Sequence, residues 1–436
     1  VTDALPTVPP TRRIVAVHAR RVWDSRGRPT VEVEVATAAG ARGRAIAPAG
    51  ASTSSGEAVD LRDGGVAFGG FDVRRALAGI EAEIAPALIG CDVTAQASLD
   101  AMRVALDGTH DRSRLGGNAL VATSMALTHA AAAAAGQPLW AWLAGDAPAM
   151  LPLPEIQIFG GGAHAGGRLD LQDFMVVAVA AEDWCTALDW TAEVYRAAGR
   201  LLADAGRLQG VADEGGFWPA FVDNEQALAM LTRAIETAGL RPGEDVAISL
   251  DIAASNFGGG GRYRMARVDG RPRELASEAL AELLLGWLRR YPVVSIEDPL
   301  AEDDLAGLAA FTAAAGPRVQ VVLDDTVVTD AVRIRKHAGA GNTALINPNQ
   351  AGTLSESRTA LEASRALGWD AIVSARSGET EDTTILHLTV GWGVCQLKVG
   401  SFARSEGMAK WTEGLRIGAT LAEGFALPPR SAFPWG

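Results

Sequence analysis

Three apolar runs in the second half of the chain each end in a carboxylate: VAISL on Asp251, VVSI on Glu297 and VQVVL on Asp324. Taken singly, an acid at the end of a strand is more often a helix cap or a solvated charge. Three in successive strand–helix units are another matter, because strand ends of a parallel barrel meet on one rim. Carboxylates brought together there repel one another unless a cation lies between them. Oxygen donors on a rigid rim suit Mg²⁺, so these three are the candidate metal ligands.

Four further groups could act beside them. Glu214 lies in DEGGF, where two glycines let backbone approach a ligand closely and the carboxylate could serve as a general acid or base. His164 sits at the centre of the glycine-rich GGGAHAG. Arg376 and Ser377 follow the run AIVSA, and arginine offers a planar fork for phosphate or carboxylate. Lys398 ends the run CQL and would face the same rim, where a cation could hold a substrate carboxylate or be a plain salt bridge. It is one of three lysines, with Lys336 and Lys410, among 39 Lys and Arg.

The elements that must position these residues are legible from period and punctuation. Residues 1–13 are rich in Pro and Thr and read as a tail. IVAVHARRVW, a turn at Asp24–Pro29, TVEVEVAT and GRAIAP then predict a short antiparallel sheet, followed by helices. The last of these is an alanine-rich run from Ala119 to about Ala135, stopped by Gly136 and Pro138. From LPLPEIQIF onward, six short apolar runs ending in polar clusters alternate with helical segments, which predicts a parallel barrel with its chemistry at the strands' carboxyl ends. The expected division is a tail at 1–13, an α+β domain at 14–147 and a barrel at 148–436, and the 436 residues suit a barrel of about 250 residues plus a second domain. A formal charge of −13 argues against a nucleic-acid surface. Three scattered cysteines predict no disulfide framework, and neither an apolar leader nor a spanning segment is found, so a cytoplasmic, membrane-free protein is expected.

The segments WDSRGRPTVEVEV, GASTSSGEAVDLRDGG, GGGAHAG, QDFM, DEGGF, LDIAAS, YPVVSIEDPLAEDDL, LDDTVVT, NPNQAGTLSES, RSGETEDT and RSEGMAK occur in this order. Together they resemble the enolase family over nearly the whole chain from about residue 14. The resemblance implies an α/β fold: an enolase-type (β/α)8 barrel of ββαα(βα)6 order with a smaller N-terminal α+β domain. It implies Mg²⁺ on Asp251, Glu297 and Asp324, and a second, catalytic ion aided by Ser52. Glu214 would protonate the departing hydroxyl, with Asp173 of QDFM standing at a position where the family has Glu. His164, Arg376 and Ser377 would surround a substrate phosphate, and Lys398 would hold a substrate carboxylate. A homodimer or larger homo-oligomer is implied too.

The departures from the family are equally specific. Asn347 stands where enolases carry the lysine that removes the proton alpha to the carboxylate, and an amide cannot titrate near neutrality. Ala375 replaces a histidine near the phosphate, and Ser54 replaces a glycine of the mobile loop. These changes lead to an expected chemistry without alpha-proton abstraction on a phosphorylated or phosphonylated three-carbon acid. Such a site would be similar to carboxyphosphonoenolpyruvate synthase of phosphonate and phosphinate antibiotic pathways, a transferase, with Asn347 contacting the extra carboxylate. The alternatives are phosphopyruvate hydratase with an altered base, and a non-catalytic binding or regulatory protein that kept the fold.

Overall fold

The computed structural model describes residues 8–51, 54–268 and 271–436. Strands β1 (Ile14–Trp23), β2 (Pro29–Thr37) and β3 (Arg42–Ile46) form an antiparallel meander. Val31, Val33 and Val35 alternate along β2 and are fully buried, as period-two patterning requires. They pack toward the helix Gly117–Ala134, whose alanines let it lie close to the sheet. Closeness is measured by Gly43 on β3: a Cβ there would meet the Ala130 nitrogen at 2.1 Å and the Ala126 oxygen at 2.2 Å. No other residue fits at that point.

Eight strands close the second domain into a barrel. They are β4 (Leu153–Gly160), β5 (Asp173–Val177), β8 (Ala247–Asp251), β12 (Val293–Glu297), β13 (Gln320–Leu323), β14 (Thr343–Ile346), β15 (Asp370–Ser374) and β16 (Gln396–Ser401), with β16 pairing back onto β4. Two hairpin strands, β6 (Leu208–Val211) and β7 (Phe217–Pro219), attach beside β4, and β9 (Gly258–Gly259), β10 (Arg262–Val268) and β11 (Arg271–Ala276) make a separate small sheet.

All neighbours in the barrel are parallel except β5, which is antiparallel to both β4 and β8. The chain between β4 and β5 carries one short 3-10 turn, Gly162–Ala165, in place of a crossover helix, so β5 must return in the opposite direction. The two long helices Trp184–Asp204 and Asn224–Thr237 then lead to β8, giving the ββαα opening. The six apolar runs read from sequence are strands β8 and β12 to β16; β4 and β5 complete the ring. Among the described residues no helix is long and apolar enough to cross a membrane.

Candidate active site

The carboxyl ends of the barrel strands bring the expected residues to one small cavity of about 50 Å³. Asp251, Glu297 and Asp324 line it with His164, Asp173, Glu214, Asn347, Arg376, Ser377 and Lys398. Ser52 lies outside the described residues.

On the metal side, parallel register sets Glu297 of β12 beside Asp251 of β8, and Asp324 follows β13 directly. Burial and the repulsion of Asp251 push the Glu297 carboxyl well above its usual range. Burial and the adjacent Asp325 push Asp324 up to about 7, and Asp325 itself rises to about 6. Lys398 Nζ stands among them, donating to Asp251 Oδ2 at 2.9 Å and to Glu297 Oε2 at 2.6 Å. Burial would lower this ammonium's pKa, but Asp251 and Glu297 hold it well above the usual value. A clustered, oxygen-only donor set already shared by one cation fits Mg²⁺. Glu297, Asp298 and Asp324 also offer oxygens within 4.8 Å of one another. Asp298, however, turns its oxygens to the backbone N–H groups of Asp324 (3.1 Å) and Asp325 (2.9 Å), so it braces the loop that carries them.

Across the cavity, His164, Asp173 and Glu214 form a second group. The 3-10 turn supplies His164, β5 begins at Asp173, and the hairpin between β6 and β7 holds Glu214 at its turn. His164 Nδ1 lies 3.2 Å from Asp173 Oδ1 and 3.8 Å from Glu214 Oε1. Burial alone would lower the imidazole pKa, but the two carboxylates outweigh it and raise it to about 9. Burial and Asp173 push Glu214 up to about 7, in the range of a group that can both give and take a proton near neutrality. Gln157 of β4 donates to Asp173 Oδ1 and, at 3.3 Å, to Glu214 Oε2. Asp173 Oδ2 is buried and has no partner among the described residues, so a polar ligand would be accommodated there.

The third wall carries Arg376 and Ser377, just after β15. Arg376 is held where it is by glycine: a Cβ on Gly50 would fall 2.0 Å from its Nη2. Its guanidinium pairs with Glu57 at 3.1 Å, and Arg26 Nη1 donates to Ser377 Oγ at 3.4 Å. Ser54 Oγ donates to Asp325, and Gln350 Nε2 donates to Asp324 Oδ1 at 2.6 Å. Asn347 lies beyond the end of β14; its Oδ1 accepts from Asn349 N–H at 3.1 Å and its Nδ2 donates to the Ala375 carbonyl at 3.3 Å.

Sequence reading overlooked Gln157, Glu57, Asp325, Gln350 and Glu155. Of these, Glu155 and Gln157 left a signal. They are polar residues two apart in LPEIQIFG, a strand buried along its whole length, and so share one face.

Comparison with known proteins agrees with this geometry. Residues 14–143 match the family description "Enolase, N-terminal domain", and residues 148–431 match "Enolase, C-terminal TIM barrel domain". A curated enolase of Rubrobacter xylanophilus is 45% identical over 423 residues, covering 96% of this chain and 98% of that protein.

These findings correct the expected function. A near-full-length likeness to an enolase points to a lyase and not to carboxyphosphonoenolpyruvate synthase or any other transferase, and nothing supports a place in phosphonate or antibiotic chemistry. The physical reason lies in what one substitution can change. Asn347 stands at one strand end, and an amide there bears on one proton transfer at most. It leaves the acidic cluster, the His164–Asp173–Glu214 group, Lys398 and the Arg376–Ser377 pair converging on the same cavity. Its amide is engaged at both ends by protein groups. By its two domains, its closed barrel and its likeness along nearly its whole length, the chain belongs to the enolase family.

Proposed function

We propose that the protein is a Mg²⁺-dependent lyase that dehydrates 2-phosphoglycerate to phosphoenolpyruvate, a phosphopyruvate hydratase with an altered base. The observation that carries this reading is the convergence of acidic, cationic and proton-transferring groups on one cavity, in a chain 45% identical to an enolase over 423 residues.

Asp251, Glu297 and Asp324 would hold Mg²⁺, which neutralises the substrate's carboxylate when bound. Arg376, Ser377 and His164 bind the phosphate, and Arg376 must exchange Glu57 for that anion. Lys398 orients the carboxylate. Glu214, pushed up to about 7, holds the proton that the departing hydroxyl needs, and Asp173 keeps His164 charged and in place. The α-proton cannot go to Asn347. With Lys398 held as an ammonium and Glu214 giving its proton to the departing hydroxyl, the α-proton passes to water in the cavity. Loss of a positioned base typically forfeits about 10²–10⁴-fold. Dehydration is therefore slow for this family. The protein works as a homodimer or larger homo-oligomer.

The test is phosphoenolpyruvate formation from 2-phosphoglycerate, followed by ultraviolet absorbance with Mg²⁺ and with a chelator. Slow, chelator-sensitive turnover is expected. No product after prolonged incubation at high protein concentration would overturn the reading.

A further inference from the structure

One buried carboxylate has no part in the chemistry above. Glu155 of β4 is 1% exposed, inside the barrel, and in the parallel register of β16 and β4 it stands opposite Lys398. Register partners on adjacent strands present their side chains to the same face about 4.8 Å apart at the backbone, so Glu155 belongs to the immediate surroundings of the ammonium.

A carboxylate in a barrel core is costly unless hydrogen bonds and a counter-charge compensate it. Both compensations are present. Ser249 Oγ donates to Glu155 Oε1, and Gln396 Nε2 donates to Oε2 at 2.8 Å. The second bond ends a chain that crosses the barrel floor. Ser295 Oγ donates to Gln320 Oε1 at 2.9 Å, Gln320 Nε2 to Gln396 Oε1 at 3.1 Å, and Gln396 to Glu155. Every donor in that chain points toward the carboxylate, so the aligned dipoles favour its negative charge. Burial raises the Glu155 pKa, and the charge of Lys398 opposes that rise.

The need for such a charge follows from where Lys398 sits. Its ammonium is neutralised by Asp251 and Glu297. Those carboxylates are also the proposed Mg²⁺ ligands, and a dication bound to them would repel the ammonium beside it. Besides these two, Asp173 and Glu155 are the carboxylates that attract Lys398. Asp173 shares its Oδ1 between His164 and Gln157, and its Oδ2 is open to a ligand. Glu155 is outside the proposed metal shell.

We propose that Glu155 is a positioning residue: it holds the Lys398 ammonium in the barrel when a divalent cation takes Asp251 and Glu297, so that both cations serve one bound acid. This rests on the metal ligation given under the proposed function. It assigns a role to the polar barrel floor, which otherwise has only a structural one.

The test is a double-mutant cycle on Mg²⁺ affinity, read by titration calorimetry on the full chain. Glu155→Gln keeps the shape and removes the charge, and it should weaken Mg²⁺ binding about tenfold, within the coupling range of neighbouring residues. In a Lys398→Met background the same substitution should change affinity less than twofold. Equal effects in both backgrounds, or none in either, would overturn the proposal.

A second readout uses the unsubstituted protein, so poor folding of a variant does not block the test. With ¹³C,¹⁵N-lysine labelling the three lysines give three side-chain signals: exposed Lys336, Lys410 buried against Glu379, and Lys398. On adding Mg²⁺ the Lys398 ammonium should stay protected from solvent exchange. Exchange as fast as that of Lys336 would refute the role. Neither readout needs turnover. Coupling without phosphoenolpyruvate formation would sink the dehydration reading and leave Glu155 standing; dehydration without coupling would do the reverse.

Discussion

Restoring a lysine at position 347 is the sharpest perturbation the site offers. Asn347 is 2% exposed, lines the cavity beyond β14 and has Ala375, just past the end of β15, as its neighbour, so room for a longer side chain lies on the cavity side. The introduced amine would stand near Lys398 and Arg376, and like charges lower an amine's pKa toward neutrality, where it can accept a proton. A positioned general base contributes about 10²–10⁴-fold, or about 2.7–5.4 kcal/mol at 1.36 kcal/mol per tenfold. Against this stands the Asn347 cap on the short helix Pro348–Ala351, whose loss costs about 0.5–2 kcal/mol of stability. In a chain of this size that lowers Tm by a few degrees at most. Asn347→Lys should therefore raise kcat for 2-phosphoglycerate dehydration by at least about a hundredfold. Asn347→Met, similar in length but without an amine, should not raise it. Rates come from phosphoenolpyruvate absorbance, with circular dichroism and Mg²⁺ titration as checks on folding. If a folded, Mg²⁺-binding Asn347→Lys variant stays within about threefold of the parent, the missing base is not what limits the reaction.

Further expectations concern the acidic cluster and the domain junction. Asp324 and Asp325 are held at about 7 and about 6, so the metal-free native state keeps protons that the unfolded chain releases near pH 4. Its stability should fall as pH rises from about 4 to about 7, and Mg²⁺ should raise Tm more at about pH 8 than at about pH 5; the opposite trend in thermal melts would contradict the clustering. Asp324→Asn should weaken Mg²⁺ binding by more than about 10–100-fold yet raise the metal-free Tm, because one repelling charge is gone. A lower metal-free Tm would show that Asp324 is held by favourable contacts. Asp100→Ala should cost about 3–5 kcal/mol in denaturant melts, because it strands the fully buried Arg103 without its partner. It also removes the acceptor of Ser355 Oγ at 2.6 Å, on the barrel helix Leu354–Ala366. A loss below about 1 kcal/mol would mean water reaches the guanidinium.

Much of the site was legible because its residues announce themselves locally. The alternation in TVEVEVAT, the apolar runs closed by acids and the glycine loops around His164 and Glu214 are near-neighbour patterns, and each became the element expected of it. The antiparallel return of β5 came from the enolase resemblance, since a buried strand of five residues has no period of its own to show direction. The reaction class is not legible from position 347, because a missing lysine stands out at one place while the retained surroundings are spread along the chain.

The sequence by itself determined which residue types stand at the strand ends, and therefore the barrel, the acidic rim and the absence of a titratable side chain at position 347. Only the tertiary structure decided their partners. Lys398 meets Asp251 and Glu297 across 147 and 101 residues of chain, Ser54 meets Asp325 across 271, and Arg376 meets Glu57 across 319. Local pattern records the energetics of a helix turn or a strand pleat. Electrostatic partnership instead falls off with distance through space, and barrel closure sets that distance without regard to position along the chain.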